Sequence, residues 1–176
     1  QPETHLGTGE LYAVEALARW HHPERGVIAP DEFVPVMEEL GLADSLLHAV
    51  LGQSVRWQSR WNSRHGVRPM VSVNLSPHQL CNTKLVESIF RTVTTGGSSP
   101  AEICLEITEG AMIDERGEAA LRELKALGFH LAIDDFGTGW ASMGRLAACP
   151  WHLLEIARSF GSRLASDRGS DDAIVI

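Results

Sequence analysis

Cysteine, which marks several specialised classes of protein, is scarce in this sequence. Its 176 residues include only Cys81, Cys104 and Cys149, which are widely spaced and contain no C-x-x-C pair. An odd number of scattered cysteines indicates buried, reduced thiols rather than a disulfide or zinc framework. The cysteine usage therefore predicts a cytoplasmic protein.

Long apolar runs and excess positive charge are also absent. No stretch approaches the roughly 18 apolar residues of a membrane span, and the polar N-terminus shows no secretory signal. The formal net charge of −8 disfavours general binding to a nucleic-acid polymer, because phosphate contacts need a basic surface. The 44% hydrophobic and 22% charged residues are typical of an ordinary globular domain.

Short apolar runs alternate along the chain with amphipathic segments of helical length. The predicted strands lie near 11–18, 70–74, 102–108, 129–134 and 152–156. The predicted helices lie near 31–40, 43–62, 82–95, 115–127 and 142–148. This alternation predicts an α/β domain over residues 1–176 with a parallel sheet or barrel. In (β/α)₈ barrels, functional side chains lie at the carboxyl ends of the strands.

Four of the predicted strands carry an oxygen-bearing side chain. Asp134 and Asp135 end an apolar run and precede a glycine-spaced loop, while Glu106 and Asn74 each close an earlier run. Glu15 lies within the first run. Carboxylate and amide oxygens favour Mg²⁺, Ca²⁺ or Mn²⁺ over zinc or copper. The pattern therefore predicts a divalent-cation site at the strand ends.

Simpler structural roles are open for the same residues. Glu15 could be a solvent-facing strand glutamate, although the apolar residues on its face favour a buried carboxylate that needs a partner. Asn74 could cap the helix that Ser76 and Pro77 begin. Asp134 and Asp135 could form a turn in which a side chain bonds the following backbone.

The order and spacing of several motifs resemble the EAL domain, a family of bacterial cyclic-di-GMP phosphodiesterases. The matching segments are EALARW at 15–20, VNLS at 73–76, LEITE at 105–109 and DDFGTG at 134–139. The resemblance covers essentially the whole chain. Several motifs in order are far more specific than the Glu-Ala-Leu tripeptide alone.

The resemblance implies a TIM-like barrel whose first strand runs antiparallel to the others. It also implies a two-metal site for Mg²⁺ or Mn²⁺, in which two ions activate a bridging water for in-line attack on cyclic di-GMP, giving linear pGpG. Asp135 would help to bind the second ion. The implied ligands of the first ion are Glu15, Asn74, Glu106 and Asp134.

The resemblance also assigns roles to three residues outside the metal cluster. Leu17 and Arg19 would contact the dinucleotide, and the forked, permanent charge of Arg19 suits a phosphate. Glu109 would position the loop at 134–139. Alternatively, Arg19 could cover Trp20 or pair with a surface acid, and Glu109 could be an ordinary exposed glutamate.

The sequence departs from the family pattern at one catalytic position. The family usually continues as LKIDRSF, whereas residues 154–160 of this chain read LEIARSF. Glu155 therefore replaces a catalytic lysine, and Ala157 replaces an acidic residue. Because losing one preorganised electrostatic group commonly costs about 10²–10³ in rate, we expect weak activity or none.

The chain stops at Ile176, whereas (β/α)₈ barrels typically need about 250 residues. We therefore expect an incomplete barrel of five or six strands, lacking the family's later metal-binding glutamate and guanine-contacting glutamine. Its open side could be closed by a homodimer. Three functions stay open: an active phosphodiesterase, a degenerate module that binds cyclic di-GMP or a partner protein, and a fragment of a larger signalling protein.

Overall fold

The structure is a computed structural model, and it describes residues 1–5, 7–109, 114–136 and 149–157. The strands, in chain order, are β1 Pro2–Thr4, β2 Leu11–Ala16, β3 Trp20–His22, β4 Gly26–Ile28, β5 Met70–Asn74, β6 Ile103–Thr108, β7 His130–Phe136 and β8 Leu153–Ile156. The helices are α1 Pro30–Glu39, α2 Ala43–His65, α3 Leu85–Thr95 and α4 Glu115–Ala126, with 3₁₀ turns at Pro77–Cys81 and Pro100–Glu102.

Six of these strands form one sheet in the order β1-β2-β5-β6-β7-β8. β1 pairs antiparallel with β2, and every later pair in this sheet is parallel. Parallel neighbours require crossover connections, which α2, α3 and α4 supply in the described part of the chain. The predicted α/β class is confirmed, and so is the antiparallel first strand.

The hydrophobic core lies between the helices and one face of the sheet. In α2, Leu47, Leu51 and Val55 recur every four residues on one face and are almost completely buried. They belong to the same cluster as Val71 and Val73 of β5. The core also contains buried residues from α3, α4, β6 and β7, among them Ile89, Leu124, Leu105 and Leu131.

The opposite face of the sheet carries the polar side chains. Because successive side chains of a strand point to opposite faces, Ser72 and Asn74 of β5 face away from the helical layer to which Val71 and Val73 contribute. Cys104 and Glu106 of β6 are their ladder partners. This polar face is where the candidate site forms.

Several element boundaries differ from the predicted ones. β2 ends at Ala16, two residues early, because the chain turns into the β3–β4 hairpin, which the sequence does not predict. The hairpin turns at Gly26, whose φ of 74° suits glycine. The helix predicted from 82 begins at Leu85, since the preceding Pro77–Cys81 segment forms a 3₁₀ turn. α2 extends to His65 and ends at Gly66, whose φ is 72°.

Other expectations have mixed outcomes. Cys104 is buried, but Cys149 is only partly buried and Cys81 is exposed, so the prediction of three buried thiols is wrong. All three cysteines are free, as expected. The helix predicted near 142–148 lies outside the described residues. Within the described ranges, the protein has no helix with the length and apolar character that crossing a membrane requires.

Candidate functional site at the strand ends

Asn74 and Glu15 meet where β5 and β2 end. The Asn74 side-chain amide donates a hydrogen bond from Nδ2 to Oε1 of Glu15 over 3.2 Å. Asn74 does not cap the following turn; there, the Ser76 backbone N–H donates to Oε1 of Gln79. The helix-cap interpretation of Asn74 is therefore wrong, and its side chain is turned toward the predicted site.

The ladder of the sheet brings the next two predicted residues to the same edge. Asn74 is the direct partner of Glu106 on β6, and Thr108, two residues further along β6, is the partner of Asp134 on β7. Since all three strands are parallel, their carboxyl ends meet at one edge. The Glu15 carboxylate is also close enough to Asp134 to raise the pKa of that carboxyl, after the larger effect of burial.

Glu106 is the most deeply buried charged residue of the site. Its side chain is 1% exposed, and neither carboxylate oxygen has a hydrogen-bond partner of good geometry among the described residues. Burial raises the pKa of Glu106 well above its usual range. The nearby Ser72 hydroxyl acts in the opposite direction, although it completes no well-formed hydrogen bond to either oxygen. Such a carboxyl needs a proton or a cation to be stable in the interior.

Glu155 of β8 reaches the same cluster. Its carboxyl lies within hydrogen-bonding reach of Glu106. Burial is the largest cause of a raised pKa at Glu155, and the negative charge of Asp134 adds to it. The residue at the expected lysine position is therefore a carboxyl that faces other carboxyls.

Asp134 and Asp135 adopt a specific local geometry. The Asp135 backbone N–H donates to Oδ1 of Asp134 over 2.7 Å, which fixes the Asp134 carboxylate. Asp135 has a φ of 54°, a left-handed conformation that is uncommon for aspartate. Both residues lie within β7, so this bond orients Asp134 at the strand end, and the turn expected before Gly137 stays a prediction.

Glu109 lies beside Asp134. Its backbone N–H donates to the Asp134 carbonyl oxygen over 3.0 Å. Residues 137–139 of the loop that Glu109 is expected to hold lie outside the described residues. Its role in positioning that loop stays a prediction.

Leu17 and Arg19 line a cavity that opens beside Glu15 and Asn74. The cavity has a volume of about 650 Å³ and also reaches Glu106, a size typical of small-molecule sites. Leu17 is 38% exposed. The Arg19 guanidinium donates from Nη1 to the Ala18 carbonyl oxygen over 2.7 Å. A guanidinium cation and an apolar side chain thus adjoin the acidic cluster.

Sequence reasoning does not identify Glu3, which the structure adds to the cluster. Glu3 lies on β1, its Oε1 is buried without a hydrogen-bond partner among the described residues, and burial raises its pKa. The Glu15 carboxylate raises that pKa further. Among sequence features, only its place on the expected antiparallel first strand could have indicated Glu3, because a strand of three residues is too short to show a periodic pattern.

The oxygen-rich donor set has the right chemistry for a hard divalent cation. The orphaned oxygens of Glu106 are the observation that supports this fit. Within the described ranges, however, no three histidine, cysteine, aspartate or glutamate side chains are grouped so that they could already hold a metal ion. The side chains therefore approach one another without forming a complete coordination shell.

Comparison with known proteins agrees with this fold. A family model described as the EAL domain matches residues 1–175. This chain belongs to the EAL domain family, whose members are metal-dependent.

Two curated relatives illustrate the similarity. The bifunctional diguanylate cyclase/cyclic di-GMP phosphodiesterase MucR of Pseudomonas aeruginosa is 36% identical over 178 residues, covering 100% of this chain and 26% of the relative. An uncharacterized signaling protein of Caulobacter vibrioides is 41% identical over 163 residues, covering 91% of this chain and 20% of the relative. The chain thus spans about a quarter or less of the length of these relatives.

Two solved structures share the fold. The MucR phosphodiesterase in complex with cyclic di-GMP has a TM-score of 0.86 at 34% identity, and the match covers 95% of this chain and 68% of that one. An EAL enzyme with cAMP and cyclic di-GMP bound has a TM-score of 0.83 at 30% identity, covering 95% of this chain and 47% of that one. The sheet described above is accordingly part of a TIM-like barrel of the EAL type.

Proposed function

We propose that this chain is an EAL domain of the phosphodiesterase type that binds cyclic di-GMP and hydrolyses it very slowly or not at all. The observation that carries this proposal is the position of Glu155. Its carboxyl lies against Glu106 in the acidic cluster, where the family has a lysine.

The proposed ligand site combines the cavity with the strand-end cluster. Arg19 would pair with a phosphate of the dinucleotide, and Leu17 would contact its apolar surface. Glu109 would hold the loop that follows Asp134. The similarity to the MucR phosphodiesterase in complex with cyclic di-GMP supports this choice of ligand.

The proposed metal site would take Mg²⁺ or Mn²⁺. Bound ions of this kind supply charge neutralisation and an activated water in phosphodiester hydrolysis. Asp135 would serve the second ion. The proposed ligands of the first ion are Glu15, Asn74, Glu106 and Asp134.

The electrostatics of the chain's own residues oppose turnover. Hydrolysis builds negative charge on the phosphate, and a preorganised cation at the Glu155 position would stabilise that charge. A carboxyl at this position removes the favourable interaction and adds a repulsive one. Arg19 and the cavity are unaffected by this substitution, so binding can persist where catalysis is lost.

A second candidate is a degenerate module that contacts a partner protein through the same domain. The substitution at Glu155 favours it, since such a module needs no catalytic lysine.

We also propose a cytoplasmic location, which the three free cysteines support. A homodimer is proposed because β1 and β8 are the edges of the six-stranded sheet in the described part of the chain. Light scattering that gives the mass of one chain would contradict the dimer.

A binding titration combined with product analysis tests the main proposal. The chain is titrated with cyclic di-GMP in Ca²⁺, and the recovered nucleotide is separated by chromatography. We expect saturable binding, intact dinucleotide, and binding at least about tenfold weaker in Arg19→Ala, a loss of about 1.4 kcal/mol. Arg60→Ala is the matched control, because Arg60 is an exposed arginine of α2 that does not line this cavity. Absence of binding would contradict the proposal.

A further inference from the structure

The carboxyl groups of Glu106 and Glu155 approach each other across β7. Glu106 is on β6 and Glu155 is on β8, and β7 lies between these strands. The ladder partner of Glu106 on β7 is Ala132, whose side chain is only a methyl group, and the partner of Ala132 on β8 is Leu153. Glu155 lies two residues beyond Leu153, so its carboxyl reaches Glu106 diagonally over the space that the small Ala132 side chain leaves.

When both carboxyls are ionised, neither can donate a hydrogen bond to the other. A carboxylate accepts hydrogen bonds but donates none, so two carboxylates in contact need a shared proton or a cation between them. Glu106 is 1% exposed, and both of its oxygens lack a well-formed hydrogen bond among the described residues. Its buried side chain is therefore an unpartnered acceptor close to Glu155.

The surroundings favour a cation over a single shared proton. Besides Glu106, the charged groups that act most strongly on Glu155 are Asp134, Glu3 and Glu15, which are all acidic, while the N-terminal ammonium acts on Glu3 and donates to the Glu15 carbonyl oxygen. The four ion pairs found within the described ranges lie elsewhere on the molecule. One proton would neutralise one of these carboxyls, whereas a divalent cation would offset two charges at once.

We propose that Glu155 is itself a cation ligand, and that a divalent ion held between Glu155 and Glu106 neutralises these two carboxylates, which leaves the phosphate without the free positive charge that a lysine provides in the family. Two protein carboxylates with water molecules are a sufficient ligand set for Mg²⁺ or Mn²⁺. The inference rests on the metal site of the proposed function and adds one ligand to it.

With glutamate at position 155, the positive charge beside Glu106 would depend on a bound ion. A lysine and a metal-bound glutamate both place positive charge beside Glu106, but the ion dissociates and the lysine does not. Charge neutralisation of the interior would therefore depend on the concentration of the cation. We expect the cation to stabilise this chain more than it stabilises the Glu155→Lys variant.

Mn²⁺ binding provides a test that does not depend on activity. The free ion is measured by its electron paramagnetic resonance signal during titration of the 176-residue chain and of Glu155→Gln, which keeps the size but removes the charge. We expect the dissociation constant to rise at least about tenfold in Glu155→Gln, equal to about 1.4 kcal/mol. Glu155→Asp keeps a carboxylate, so we expect a smaller loss. Glu24→Gln, an exposed substitution on the β3–β4 turn, should bind as the original chain does.

The outcomes separate this inference from the proposed function. The inference would be overturned by equal Mn²⁺ affinity in the original chain and Glu155→Gln, or by no Mn²⁺ binding to the original chain. Neither result would contradict the binding of cyclic di-GMP. Loss of cyclic di-GMP binding alone, with Mn²⁺ affinity still dependent on Glu155, would overturn the proposed ligand but not the cation ligand. Urea unfolding of each variant verifies that it is folded, and Glu155→Asp provides the comparison if Glu155→Gln is not.

Discussion

The Asn74 side chain donates a hydrogen bond to the Glu15 carboxylate over 3.2 Å and thereby connects the ends of β5 and β2. These two residues are 59 positions apart in the sequence. Their contact depends on the parallel pairing in which Glu15 is the partner of Ser72. The site is thus assembled by the sheet register rather than by any local motif.

Asn74→Ala should reduce the affinity for the cation clearly and lower the free energy of unfolding only slightly. Asn74 is exposed, so losing its hydrogen bond should cost only about 0.5–1.5 kcal/mol in the free energy of unfolding. The variant also loses a proposed metal ligand, and Mn²⁺ binding should fall about tenfold or more. Urea unfolding and Mn²⁺ titration measure the two effects, and unchanged Mn²⁺ affinity would argue against Asn74 as a ligand.

The acidic cluster should make the stability of the chain depend on pH when a chelator removes divalent ions. Burial raises the pKa of Glu106 in the folded state, so the folded chain binds more protons than the unfolded chain above the usual glutamate range. The free energy of unfolding should therefore decrease as the pH rises from about 5 to about 8.

Urea unfolding at several pH values measures this slope. Glu106→Gln removes one of the titrating groups and should make the slope smaller, while Glu155 still contributes to it; Glu24→Gln should leave the slope unchanged. Stability that rises with pH over this interval in the original chain would contradict the prediction. Added Mn²⁺ should oppose the loss of stability, because the ion binds the ionised form.

Gly96→Ala should destabilise the packing of α3 on α2. A Cβ atom at Gly96 would lie 2.5 Å from Cγ1 of Val55, and overpacking of this kind costs about 1–3 kcal/mol. Gly52→Ala is the matched control, because its Cβ would meet only the end of the Arg56 side chain at 3.4 Å. Since Gly52 lies within α2, alanine there should be neutral or stabilising by up to about 1 kcal/mol. Urea unfolding that ranks the two variants in the opposite order would contradict this account.

The elements with a strong periodic pattern were predictable from the sequence. β5 has the predicted bounds, because an apolar run ends at the polar Asn74 and turn residues follow. The position of Glu106 at the strand-end edge follows from the same reasoning. The β3–β4 hairpin was not predictable, since three-residue strands are too short to show alternation.

The contacts between residues that are far apart in the sequence could be found only from the structure. The sequence identifies Glu155 as a departure from the family, but the approach of Glu155 to Glu106 depends on how β8 pairs with β7, where the register shifts between Ile133 and Phe136. Glu3 joins the cluster through antiparallel pairing of β1 with β2. Neither arrangement has a local sequence signal.

The central claim is that Glu155 disables hydrolysis, and it is tested most directly by measuring linear pGpG formed from saturating cyclic di-GMP with Mg²⁺ or Mn²⁺. The chain and its Glu155→Lys variant are assayed together, with Glu24→Gln as the control substitution. We predict that the original chain and the control form product far more slowly than about 1 s⁻¹, the lower end of typical enzyme turnover, and that Glu155→Lys is faster. Turnover of the original chain at about 1 s⁻¹ or above would contradict the account.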